Sequence, residues 1–358
     1  MTQLVRCAWL CAALPAALMV AGCDDARAPI SHARPGVAQL ADAAGPCNAP
    51  SVPGPDDSLQ DMVHIPGGVV NMGSDDHEPE ERPRRRVAVQ SFWMSRTEVT
   101  NAMFARFVSA THYVTVAERG LDATRYPALP AEQRVAGGIV FVQPNAVRDL
   151  VDISQWWRFL GGADWRHPDG PGSSIAGKQT DPVVQIAYED ALAYARWRGH
   201  VLPTEAEWER AARGGLSDAP FVWGDEISPD GRAMANIWEG VFPIANSGAD
   251  GHVGRAPVGC YPANGYGLHD MAGNVWEWTR DAYAQAANAD AAHGADADET
   301  TGAAADAAAA QGYVIKGGSY LCAPNYCARY RPAARQPGDA TTGTSHIGFR
   351  TVLREPRT

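Results

Sequence analysis

Glycine and proline interrupt this chain too often for long regular elements: 36 Gly and 26 Pro stand among 358 residues. Both residues mark turns and end helices and strands. Eleven tryptophans are available for the interior, so the expectation is a loop-rich scaffold closed over an aromatic core. The hydrophobic set is 45% and the charged set 20%, which is enough apolar material for a full core and confines disorder to local segments. The length fits either two average domains or one large irregular one.

Local signals are mixed. Met62 to Gly68 reads as a short strand running into a turn, and Arg86 to Met94 as another apolar-rich strand. Thr100 is placed to cap a helix whose Phe104, Phe107 and Val108 share one face. A second helix runs from about Tyr188 to Arg198, stopped by Gly199. Thr204 and Glu207 form a capping-box start for a third, which ends at Gly214-Gly215. No fixed-period repeat and no regular strand–helix alternation is present, which argues α+β with abundant loops over a parallel α/β sheet.

The net charge of -11 speaks against a nucleic-acid partner, since phosphate binding needs clustered Lys and Arg. The one basic cluster, Arg82 with Arg84, Arg85 and Arg86, follows the acidic run Glu78 to Glu81 and reads as a solvated strand-leading loop.

Arg6 followed by the apolar Cys7 to Val20 is a targeting segment, too short to span a bilayer by itself. It ends in Val20-Ala21-Gly22-Cys23, which resembles the lipobox of bacterial lipoproteins. That resemblance implies diacylation of Cys23, anchoring to a membrane without a spanning helix, and a cell-envelope location facing the periplasm. An ordinary cleaved signal with a chance Cys is the alternative. Asp24 and Asp25 follow, the pattern that retains enteric lipoproteins at the inner membrane. The expected layout is a lipoprotein signal peptide over 1–22, a flexible tether over 23–60 and one folded domain over 61–356. A low-complexity surface insertion interrupts that domain at about 284–311.

Of seven Cys, two leave with the signal and one carries lipid, so Cys47, Cys260, Cys322 and Cys327 remain in an oxidising compartment. Cys322 and Cys327 stand five positions apart on a loop with Gly, Pro and aromatics. They can form a disulfide, ligate a soft metal or do redox chemistry, and spacing does not choose. Two thiolates make a poor tetrahedral zinc site, whereas Cu(I) accepts two-sulfur ligation.

The stretch Gly317-Gly318-Ser319-Tyr320-Leu321-Cys322, with Cys327-Ala328-Arg329-Tyr330-Arg331 and the later Gly348-Phe349-Arg350, resembles the formylglycine-generating (sulfatase-modifying) enzyme family. Further family segments follow in order: Ile65-Pro66-Gly67-Gly68, Met72-Gly73, Glu98-Val99-Thr100, Leu202 to Glu209, Ala235 to Trp238, Asn264 to Leu268 and Gly273 to Trp278. The resemblance covers Met62 to Leu353 and implies that family's C-type-lectin-like α+β fold. The Leu202 to Glu209, Gly273 to Trp278 and Gly348 to Arg350 segments report fold alone; the Cys pair reports activity.

By resemblance, Cys322 and Cys327 hold Cu(I), and a substrate cysteine supplies a third sulfur. O2-dependent loss of a Cβ hydrogen and hydrolysis of the thioaldehyde then give formylglycine. The implied substrate is a sulfatase-type protein with a Cys-x-Pro-x-Arg motif, bound as an extended segment. Ser319, Tyr326, Trp276 and His346 match positions lining the family's active site, with plain packing as the competing reading. Two Ca2+ sites are also implied. One takes Asn236 and Asp250 with the carbonyls of Ile237 and His252, the other Asp270 and Glu277 with those of Gly273 and Val275; turn capping is the alternative. The chain departs from vertebrate members at Ala195, Thr351, Ala212 and Pro332, where they carry paired Cys. It departs from most bacterial members, which act in the cytosol, in its export signal. An envelope binding or accessory module of the same fold is the alternative function; members of that kind lack one or both thiols.

Overall fold

A computed structural model describes residues 47–52, 59–124, 126–283 and 312–354. The signal peptide, Cys23, most of the tether and the insertion at 284–311 lie outside the described residues.

In chain order, β1 (Met62–Ile65), β2 (Gly68–Met72), β3 (Arg85–Val89) and β4 (Phe92–Ser95) precede α1 (Asn101–Thr111) and α2 (Val116–Arg119). Next come β5 (Gly138–Phe141), β6 (Trp157–Leu160), α3 (Tyr188–Trp197) and α4 (Glu205–Arg213). The short β7 (Gly240–Val241) and β8 (Ala245–Asn246) lead to β9 (Trp276–Ala282), β10 (Tyr313–Lys316), β11 (Arg335–Gly338), β12 (Ile347–Gly348) and β13 (Val352–Arg354). A three-stranded sheet is ordered β1-β4-β13 and a four-stranded one β11-β10-β9-β12, with two-stranded ribbons β2-β3, β5-β6 and β7-β8. Only β12 runs parallel to its neighbour β9 among the named pairs. This is the α+β, loop-rich architecture that the composition implies.

The expected single strand from Arg86 to Met94 is two. β3 pairs with β2, whereas β4 pairs with β1 and β13. The chain turns at Gln90-Ser91, beside which Gly67 packs so closely that a Cβ there would stand 2.9 Å from Ser91 N. The helix starts are where the caps place them. Thr100 Oγ1 accepts from Met103 N at 3.3 Å, and in α4 the Thr204 and Glu207 side chains each accept from the other's backbone N–H, at 3.1 and 2.7 Å.

Two aromatic clusters fill the interior. The larger gathers Phe104, Phe107, Trp208, Trp276, Trp278 and Phe349. The smaller holds Trp156, Trp238, Phe242, Tyr320 and Leu321, with Phe141, Trp157 and Tyr326 packed against it. α4 also buries charge: Glu205 binds Arg335 at 2.8 Å, and Glu209 binds Arg213 at 2.7 Å and the fully buried Lys316 at 3.1 Å. Each of these cations has a carboxylate partner, as burial requires. Lys316 opens the loop that carries both thiols, so α4 fixes the position of that loop.

The folded part reaches back beyond Met62. Cys47 and Cys260 form a disulfide, and Asn48 N donates to Gly259 O at 2.9 Å. The end of the expected tether is therefore bound to the domain. Glu81, in the acidic run ahead of the basic cluster, is 2% exposed and grips Arg331 through two hydrogen bonds; a local charge count does not show a partner 250 positions away.

Candidate active site

The thiol loop is closed at its neck by glycine. Gly318 has φ +77°, and a Cβ there would lie 2.9 Å from the Arg329 carbonyl oxygen, so glycine lets the entering and leaving segments meet. Beyond the neck, Leu321 N donates to Ser319 Oγ at 3.3 Å and Cys322 N to Ser319 O at 2.9 Å. Cys327 N donates to Ala323 O at 2.9 Å, a single turn that folds the five-residue spacing back on itself. Trp238 N donates to Cys322 O at 3.0 Å and ties the loop to the smaller aromatic cluster.

These bonds bring Cys322 Sγ to 3.0 Å from Cys327 Sγ. Both thiols are free and buried, at 1% and 8% exposure. Burial and its neighbour push the Cys322 thiol well above its ordinary range. Cys327 is pulled down to about 7, first by the hydrogen bond from Cys322 and then, against its own burial, by Arg329. The Arg329 Nη1 atom stands 3.9 Å from Cys327 Sγ, and its Nη2 is held by Glu80 Oε1 at 2.6 Å. The pair is thus one proton donor and one incipient thiolate beside a fixed cation.

Four of the expected site residues, Ser319, Cys322, Tyr326 and Cys327, sit on this loop. The Tyr326 ring stacks on Phe242 at 4.4 Å and meets Trp156 edge-on at 5.7 Å. His346 lies on another segment, its ring 4.6 Å from that of Trp157 and its Nδ1 3.0 Å from Thr344 Oγ1. Burial and the nearby Arg255 cation lower His346 to about 3, so it is neutral at physiological pH. Trp276 is 2% exposed in the main core; its backbone N donates to His346 O at 2.9 Å, which fixes the histidine segment through the main chain.

The oxygen-rich positions fall into two groups bridged by Asn274. Asn236 donates through Nδ2 to Gly254 O and Asn274 Oδ1, and its Oδ1 is buried with no hydrogen bond. Beside it, Asp250 accepts from the backbone N–H groups of Ile237 and His252, and burial pushes it up to about 6. In the second group Asp270 accepts from Gly259 N at 2.6 Å and is raised by burial. Glu277 uses both oxygens on Arg350, at 2.7 Å each, and Oε2 also takes Trp208 Nε1. Glu98, whose role the sequence did not single out, joins them: Oε1 accepts from Asn274 Nδ2 while Oε2 is buried without a hydrogen bond. Burial first, and then Asp270, push its carboxyl well up. Three buried carboxylates face one guanidinium here, an excess of negative charge that a hard cation would relieve. Among the described residues no three His, Cys, Asp or Glu side chains make a ready metal cage, so such an ion must draw on Asn236 and on backbone carbonyls.

The scaffold defines the class. A solved structure of PvdO from Pseudomonas aeruginosa overlays with a TM-score of 0.56 at 22% identity, covering 85% of this chain and 98% of that one, which shows a shared fold. The family described as sulfatase-modifying factor enzyme 1-like domain matches residues 49–355, and the chain belongs to it. It is 52% identical over 295 residues to the formylglycine-generating enzyme of Mycobacterium tuberculosis, covering 82% of this chain and 98% of that protein. It is 39% identical over 360 residues to the mouse formylglycine-generating enzyme, covering 93% and 92%.

Proposed function

We propose that this protein converts a cysteine of a sulfatase-type substrate to formylglycine, with copper at the Cys322–Cys327 pair and O2 as oxidant. The observation that carries the reading is the pair itself: two free, buried thiols 3.0 Å apart in a chain whose relatives are named for that conversion. Two soft donors with no third protein ligand among the described residues suit Cu(I), and when bound copper supplies the one-electron redox chemistry.

The chain's own groups do the rest. Cys322 and Cys327 hold the ion, and Arg329 balances the negative charge of two thiolates. Tyr326, Trp156 and Phe242 wall the loop with aromatic surface that excludes water. Neutral His346 adds no competing cation. The net reaction balances as one peptidyl CH2SH, one O2 and two external thiols giving one CHO, one hydrogen sulfide, one water and one disulfide. Two electrons come from the substrate carbon and two from the reductant.

Three further parts belong to this proposal. Ca2+ at Asn236–Asp250, with the carbonyls of Ile237 and His252, satisfies the orphaned Asn236 Oδ1, and a second Ca2+ takes Asp270 and Glu277 with the carbonyls of Gly273 and Val275. The substrate carries Cys-x-Pro-x-Arg. The chain works in the cell envelope, lipid-anchored through Cys23, and the Cys47–Cys260 disulfide suits that oxidising compartment.

The test is mass spectrometry of a Cys-x-Pro-x-Arg peptide incubated with the full chain, Cu(I), O2 and a reductant. Conversion appears as a loss of about 18 Da, the difference between CH2SH and CHO, and disappears in Cys322→Ser and in Cys327→Ser. An unchanged peptide with copper-loaded protein refutes the oxidase and leaves the accessory role.

A further inference from the structure

The Cys47–Cys260 bridge pins the middle of a short segment that touches both oxygen-rich groups. On one side of Cys260, Gly259 N donates to Asp270 Oδ2 at 2.6 Å. On the other side, the Tyr261 hydroxyl donates to Asp250 O at 3.1 Å. Tyr261 O also accepts from Nδ1 of His269, the residue before Asp270, at 2.8 Å. All three contacts are buried. Gly259, Cys260 and Tyr261 therefore hold the main chain of Asp250 and the carboxylate of Asp270 at once. Groups that orient metal ligands in this way set how strongly an ion is held.

The same segment is held from outside by the residues around Cys47. Asn48 N donates to Gly259 O at 2.9 Å. Gly259 has φ +76°, and a Cβ there would stand 2.8 Å from the Asn48 carbonyl, so the two backbones lie in direct contact. Cys47 is exposed and Cys260 half-buried, whereas Cys322 and Cys327 are both buried. A reductant in solution meets the bridge before it meets the thiol pair, and exposed disulfides are the ones that exchange readily.

We propose that the Cys47–Cys260 bridge is a redox lock on calcium. Closed, it keeps Gly259-Cys260-Tyr261 where Asp250 and Asp270 are preorganised for their ions. Opened, it releases the segment, and both ions are held more weakly. Opening is a thiol–disulfide exchange with a dithiol: the Cys47–Cys260 S–S bond breaks, each sulfur takes a proton from the dithiol, and the dithiol closes to a disulfide, passing two electrons to the bridge. The inference rests on the reading of the two oxygen-rich groups as Ca2+ sites and extends it to their control by reductant.

The experiment titrates the full chain with Ca2+ against a fluorescent chelator before and after treatment with dithiothreitol, and follows hydrogen exchange over residues 258–262 by mass spectrometry. Reduction is expected to weaken calcium binding about three- to tenfold, the effect of losing roughly one hydrogen bond at the site, and to speed exchange across that segment. Cys47→Ser in the untreated chain gives the same weaker binding and makes it indifferent to dithiothreitol, which separates the bridge from any effect on Cys322 and Cys327. Tyr261→Phe leaves the bridge closed and weakens one of the two ions. The reduction arm needs no variant to fold. Calcium bound equally by the oxidised and reduced chain overturns the lock and leaves the calcium sites standing. An oxidised chain that binds no Ca2+ refutes the sites themselves, and the lock with them.

Discussion

Arg331 and Glu81, 250 positions apart, are bound side chain to side chain through Nη1 at 2.8 Å and Nη2 at 2.5 Å, and both are buried. The pair fastens the exit of the thiol loop to the segment between β2 and β3. Glu81→Ala leaves the Arg331 charge buried without its partner, which costs ~3–5 kcal/mol. Chemical denaturation of the variant should show a loss of that size, with Glu81→Gln losing less because it keeps one acceptor.

Ionisation of Cys327 is the second expectation. Held at about 7 by the Cys322 hydrogen bond and by Arg329, it is largely thiolate above that pH and largely thiol below it. Iodoacetamide labelling of Cys327, followed by peptide mass spectrometry, should rise with a midpoint near that value. Cys322→Ala moves the midpoint up, and Arg329→Met moves it up by less. A midpoint indifferent to both substitutions contradicts the assignment of causes.

The two sulfurs at 3.0 Å need move only about 1 Å to reach the disulfide length. Mild oxidation by diamide should therefore link Cys322 to Cys327 with a loss of about 2 Da, reversed by dithiothreitol, and a Cu(I) competition titration should show no tight site in the linked form. Oxidised protein that retains full copper affinity excludes the pair as the ligand set.

The Cys47–Cys260 bridge joins residues 213 positions apart. Replacing both by Ser should lower unfolding free energy by ~2–4 kcal/mol and leave the labelling profile of Cys327 unmoved, because the groups that set that profile are Cys322 and Arg329. A changed profile would mean that the two sites are coupled.

Much of this could be read locally. Thr100 and Thr204 name the starts of α1 and α4, because a hydroxyl followed three positions on by a backbone donor is a short-range event. The cysteine spacing and its Gly-Gly-Ser neighbourhood mark the reactive loop for the same reason. The break between β3 and β4 left no such mark: Gln90 and Ser91 carry no strong turn signal, and the turn is made by Gly67 packing from outside. Trp276, in a matching motif, packs within the main core, a placement the motif does not state.

What the sequence determined by itself is the kind of scaffold, the caps, and the identity of the thiols, since glycine, proline and cysteine act through their own backbone and side-chain chemistry. The tertiary structure alone decided that Cys322 and Cys327 stand 3.0 Å apart, where a five-residue extended span would separate them by ~16 Å. It also set Arg329 beside one sulfur, gave Arg331 to Glu81, and left Glu98 Oε2 without a hydrogen bond among the described residues. Each of these depends on which distant group occupies the space next to a residue, and burial and charge pairing act across space without regard to position along the chain.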